Sequence, residues 1–187
     1  MVTAVLVIPL IFAAQSQLLA WRDGIYIAAS FAGILAMSLF IVQPLGIAAL
    51  LPGLSPARAR FVHRSLGALI CLAVVVHVGG LWITSPPDLV DALLFVSPTS
   101  FSIWGVLAMW AVLLSGAVAL FRRRWRVSPK TWRRFHLPLV AVAAGGTIVH
   151  ALLITGLLST PFKAVISAVV LLSWVPLVPL IRRTVKG

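Results

Sequence analysis

Acidic side chains are almost missing from this sequence. Its 187 residues include 3 Asp and Glu, which are Asp23, Asp88 and Asp91, against 15 Lys and Arg. None of the three is near a histidine, so a zinc site of three or four protein ligands is poorly supplied. A proton relay built on intramembrane carboxylates has no members either. Cysteine is nearly absent: Cys71 stands alone inside an apolar run, which rules out an intrachain disulfide. The sequence has no G-x-G-x-x-G and no alternation of strand and helix patterns. A nicotinamide-binding domain within these residues is therefore excluded. Charged residues of all kinds make up 10% of the chain, against about 25% in soluble domains.

Apolar residues fill that space. They form 61% of the chain, and the mean hydropathy is +1.13. This composition belongs to a membrane protein that keeps almost all of its length in the bilayer. The net charge of +12 does not indicate nucleic acid, because the basic residues gather at the ends of apolar runs, where they orient membrane segments.

Six apolar runs are long enough to be read as spans, given ~20 residues per crossing. They cover residues 2–20, 25–51, 61–84, 101–121, 135–158 and 164–181. The expected fold is an all-α bundle of six transmembrane helices, one domain over residues 1–187. The first run is read as a retained span and not a signal peptide, since it lacks a basic start. Pro44 can kink the second run. Pro52-Gly53-Leu54-Ser55-Pro56, Ser85-Pro86-Pro87 and Ser159-Thr160-Pro161 separate the runs, and the LVDALLFV stretch after Asp88 can lie at the interface as a short helix. Every Lys and Arg except Arg22 and Lys163 lies before or at the start of span three, between spans four and five, or at the C-terminus. Both termini are therefore expected on the cytoplasmic side of an inner (plasma) membrane, with spans three and five parallel.

The 4 histidines of the chain fall into one repeated pattern. His63 and His77 are fourteen positions apart, and so are His136 and His150. On a helix, fourteen positions turn ~1400°, about 40° short of four whole turns, and rise ~21 Å. Each pair thus lies on one face of its helix, span three or span five. With those spans parallel, His63 stands level with His136 and His77 with His150. Two imidazoles facing each other, with no Asp, Glu or second Cys nearby, suit the two axial positions of a six-coordinate heme b. Arg60, Arg64, Arg133 and Arg134 flank the inner histidines and could pair with heme propionates, though the same residues also set topology. Thr84, Ser85 and Lys163 are the outer counterparts. Gly67, Gly79, Gly80, Gly145 and Gly146 could leave room for a macrocycle or let helices approach closely. Pro138 can start or kink span five. Trp82, Trp104 and Trp132, near span ends, read as interfacial anchors.

The segments ARARFVHRSLGALICLAVVVH and KTWRRFHLPLVAVAAGGTIVH resemble the two heme-binding helices of the ferric reductase-like transmembrane domain. That superfamily includes ferric reductases, NADPH oxidases and the heme-binding subunit of the periplasmic methionine sulfoxide reductase system. The likeness rests on H-R-x-L-G and W-R-R-x-H starts, each with a second histidine fourteen positions after the first, and covers about Pro56 to Gly156. It implies heme ligation by His63 and His136 on the cytoplasmic side and by His77 and His150 on the outer side. It also implies electron transfer across the membrane. Ferric reductases and NADPH oxidases continue into a flavin- and nicotinamide-binding domain, for which these residues have no pattern. The expected electron donor is therefore a separate flavin reductase carrying FMN or FAD, or a quinol. The alternatives are a one-heme subunit of the methionine sulfoxide reductase type, with a flavin or quinone at the inner position, and a non-catalytic membrane anchor. A small transporter is disfavoured, because the histidines are the only repeated polar groups in the spans.

The charge pattern makes a topological prediction. An alkaline phosphatase fusion in the 88–100 loop should be active and one in the 122–134 loop inactive; the reverse result would overturn the orientation.

Overall fold

The computed structural model describes residues 2–47, 53–122 and 124–178. Every regular element among them is helical: α1 (Val2–Ala14), α2 (Gly24–Ile47), α3 (Pro56–Thr84), α4 (Pro86–Leu93), α5 (Ser102–Phe121), α6 (Pro129–Leu153) and α7 (Thr160–Trp174), with 3-10 turns at Gln17–Trp21 and Val175–Leu177.

Local chemistry explains the boundaries. Asp23 Oδ1 accepts the backbone N–H of Tyr26 at 2.9 Å and caps the start of α2. Ser55 and Ser128 cap α3 and α6 in the same way, accepting from Arg58 N at 3.4 Å and Thr131 N at 3.1 Å. A proline follows each serine, at the helix position where its missing N–H costs nothing. Both histidine-bearing helices thus begin earlier than their apolar runs, which start at 61 and 135. The polar first turns are helical because the Ser-Pro caps start them. Pro138 is inside α6 and does not start it.

Among the described residues, five helices are long and apolar enough to cross a membrane: α2, α3, α5, α6, and α7 with the turn that follows it. The first run is different. Its helix has 13 residues, or ~20 Å at 1.5 Å per residue, short of the ~30 Å hydrocarbon core. It stops at Ala14 because Gln15, Ser16 and Gln17 lead into a 3-10 turn. The expected six spans are therefore five long helices and one short one. The short interfacial helix after span three is present as α4, shifted to begin on the prolines. The ends of the second and sixth runs, and Arg182, Arg183 and Lys186, lie outside the described residues.

The helices pack as two intimate antiparallel pairs, α2 with α3 and α5 with α6. Helices α1 and α7 lie against α2, which carries the best-buried part of the core (Ser38, Leu39, Phe40, Ile41), with Val170 of α7. Large apolar side chains such as Leu72, Val75, Trp110, Leu114, Leu171 and Leu172 face outward, as a surface solvated by lipid requires. Helices α3 and α6 pack on their own partners and barely on each other.

Small residues set the close approaches. A Cβ built on Gly80 would sit 2.6 Å from Ala29 Cβ, and one on Gly146 would sit 2.8 Å from the Trp104 carbonyl oxygen. One on Gly67 would meet the Gln43 amide at 3.1 Å. These three glycines therefore serve helix contact, the second of their two expected roles, whereas Gly79 and Gly145 have nothing within 4 Å. Gly146→Ala should destabilise the fold by ~1–3 kcal/mol, the usual cost of overpacking. Gly145→Ala should stay within ~0.5 kcal/mol of the parent. Thermal or denaturant unfolding in detergent checks the contrast.

Candidate functional site

The four histidine rings line the space between the two helix pairs. Each is anchored through Nδ1 by the other helix of its own pair. His77 donates to the Ala29 carbonyl at 2.8 Å and His63 to the Gln43 carbonyl at 3.2 Å, both in α2. His150 donates to the Phe101 carbonyl at 3.0 Å, at the start of α5. His136 Nδ1 lies 2.8 Å from the Ser115 hydroxyl, in α5. A carbonyl oxygen can only accept, so three of the rings are Nδ1–H tautomers with a free Nε2 lone pair. A Ser115 hydroxyl that accepts puts His136 in the same state. This is the arrangement of a metal-ligating histidine, whose second nitrogen is normally held by a carbonyl or carboxylate.

The anchors repeat as regularly as the ligands. Ala29 and Gln43 are fourteen positions apart, and so are Phe101 and Ser115. One histidine interval along α3 or α6 is therefore matched by an equal interval back along its antiparallel partner. Two glycines let the outer rings lie against the neighbouring backbone. A Cβ on Gly33 would come within 2.9 Å of His77 Nδ1, and one on Gly105 within 2.7 Å of His150 Nδ1.

The rings of His63 and His136 meet. His63 and His136 have centroids 6.3 Å apart and planes at 80°. Two metal–imidazole bonds of ~2.0 Å span ~4 Å between nitrogens, and the two ring radii account for the rest of that separation. His77 and His150 each lie fourteen positions further along α3 and α6, and the edge of Phe101 packs on His150, with centroids 5.6 Å apart. Helices α3 and α6 thus run parallel and match level for level.

A pair of imidazoles suits heme better than a bare ion. No group of three or more His, Cys, Asp and Glu able to hold a metal occurs among the described residues. Each level has two imidazoles, so a metal there must bring its remaining ligands, as iron in a porphyrin does.

Other expected site residues fall into place less fully. Arg60, Arg64, Arg133 and Arg134 are all exposed on the early turns of α3 and α6, around the inner pair. At the outer end, the Thr84 hydroxyl donates to the Gly80 carbonyl of its own helix at 3.0 Å. Lys163 is buried and donates to the Ile154 carbonyl at 2.5 Å, closing the end of α6. Trp132 is more than an interfacial anchor: its indole stacks on His136, with centroids 4.4 Å apart and planes 23° apart.

A comparison with protein families agrees with this geometry. The family described as ferric reductase like transmembrane component matches residues 29–147. The chain belongs to that family. The match begins at Ala29, the anchor of His77, and includes His63, His77 and His136; it stops just short of His150. No curated protein matches the chain, and no solved structure does. The resemblance read from the two histidine helices is thereby established for the ferric reductase-like transmembrane domain, and it also takes in most of α2 and all of α5.

The anchors Ala29, Gln43, Phe101 and Ser115 and the glycines Gly33 and Gly105 were not expected from the sequence. A signal pointing to the pairing was available, because Ser-Pro-x6-His-x13-His occurs twice, from Ser55 and from Ser128. Crowding an outer ring should weaken ligation at that level alone. Gly33→Ala or Gly105→Ala should lower heme affinity of the outer site ~10–100-fold, as loss of a ligand-orienting contact does. Heme titration of the apo-protein, with Gly79→Ala as an unaffected control, makes the check.

Proposed function

We propose that this chain is a two-heme electron conduit across the inner (plasma) membrane, with both termini cytoplasmic. His63 and His136 would hold the cytoplasmic-side heme b, and His77 and His150 the outer one. The observation that supports the reading is the set of four Nδ1 contacts, three of them to backbone carbonyls that leave Nε2 free, together with the 6.3 Å approach of the His63 and His136 rings. Family membership supports the same class of activity. Heme b bound at the two levels supplies one-electron chemistry.

The protein's own residues do the rest. The anchored imidazoles are preorganised, so each level ligates with little rearrangement. The ~21 Å rise between histidines sets the separation of the levels along the helices, and apolar residues such as Ile70 and Ala143 keep that interval dry. Arg60, Arg64, Arg133 and Arg134 are placed to neutralise propionates at the inner level. The basic segment from Arg122 to Arg134 offers a docking face to an acidic flavin reductase carrying FMN or FAD; quinol is the donor to test beside it. The acceptor works on the outer side.

Heme quantified per chain, with a reduced-minus-oxidised spectrum, tests the proposal. The wild type should hold two low-spin b hemes, and His63→Ala and His77→Ala should each lose one. One heme, lost only in His77→Ala, would favour the one-heme methionine sulfoxide reductase type. No heme in protein made with ample heme supply would overturn the proposal.

A further inference from the structure

The inner pair differs from the outer in how its rings are held. Three histidines are anchored on backbone carbonyls, which a helix fixes in direction. His136 instead has the Ser115 hydroxyl at 2.8 Å, a partner that rotates about its own Cβ–Oγ bond. One hydrogen bond to a rotor leaves the imidazole plane free to turn. A second restraint is present at this ring. Trp132, one turn earlier on α6 and so on the same helix face, stacks on it at 4.4 Å with planes 23° apart. The indole is tethered in turn, with the Arg122 guanidinium carbon 5.9 Å from its centroid. The outcome is visible in the partner ring: His136 stands at 80° to His63.

We propose that Trp132 and Ser115 are positioning residues that clamp the His136 imidazole crosswise to His63, giving the inner heme perpendicular axial ligands. This rests on the heme reading above. Its consequence is electronic. Parallel imidazole planes overlap one iron dπ orbital more than the other and split the two. Crossed planes act on both alike and leave them nearly degenerate. Low-spin ferric iron then gives a highly anisotropic electron paramagnetic resonance signal with one dominant low-field feature, and parallel planes give a rhombic one. A ring clamped on two sides also stays on its iron in both oxidation states, which suits electron transfer and not ligand exchange.

The test uses the full-length, heme-loaded, oxidised protein. The inner signal is the one absent from His63→Ala. It should be of the highly anisotropic kind in the wild type. Trp132→Leu should move it towards a rhombic shape with heme content retained, whereas Trp132→Phe, which keeps a stacking ring, should leave it in place. Ser115→Ala should shift it and Ser115→Thr should not; this pair decides the matter if Trp132→Leu fails to hold heme. A rhombic inner signal in the wild type would overturn the clamp. So would an unmoved signal in both Trp132→Leu and Ser115→Ala. A wild type with no heme that depends on His63 would instead overturn the parent reading, and the clamp with it.

Discussion

The structure depends on one kind of contact, an imidazole of α3 or α6 bonded through Nδ1 to its antiparallel neighbour. A buried polar hydrogen without a partner costs several kcal/mol in hydrocarbon. Satisfying it on α2 or α5 removes that cost and fixes the tautomer together. It also ties the register of each helix pair to the ligand positions, since sliding one helix by a turn would break both of its anchors. Ligand geometry and helix packing are thus one constraint. Gly33 and Gly105 permit it, because no other residue lets an imidazole lie so close to the neighbouring helix.

The two pairs are built alike. Helices α3 and α6 each open with a Ser-Pro cap, and their two histidines follow at the same offsets from that serine. Each neighbour supplies anchors at the interval that separates the histidines. Two copies of one hairpin, packed so that His63 meets His136, would give the two levels of paired imidazoles that the proposed conduit needs. The copies differ at the inner level, where a hydroxyl replaces a carbonyl and an indole covers the ring. Basic side chains also gather at that end, where Arg60, Arg64, Arg133 and Arg134 are exposed on the turns around His63 and His136.

Much of this was legible in the sequence, for identifiable reasons. Histidine is scarce and costly in a bilayer, so His63, His77, His136 and His150 stand out, and a helical period converts their spacing into a shared face. Lys and Arg distribution made spans three and five parallel, as the facing pairs require. The anchors were not legible, since a backbone carbonyl acceptor places no demand on its side chain: Ala29 and Phe101 look like any apolar residues. Trp132 was read as an anchor because tryptophan at a span end is usually one; its stacking depends on the turn that places it over His136. Hydropathy overstated the first run, because averaging over residues 2–20 hides the break at Gln15–Gln17. The glycines of α3 and α6 had two roles open to each in the sequence, and only the helix contacts at Gly67, Gly80 and Gly146 told which applied there.

Electron passage across a sealed bilayer tests the account most directly. The purified protein, reconstituted into vesicles loaded with ferricyanide, would be given a membrane-impermeant reductant outside. The account predicts reduction of the trapped ferricyanide at a rate set by the protein. The rate should fall to that of protein-free vesicles when any one of the four histidines is changed to alanine. Undiminished reduction with His77→Ala and His150→Ala, or none with heme-loaded wild type, would contradict a conduit that runs through both levels.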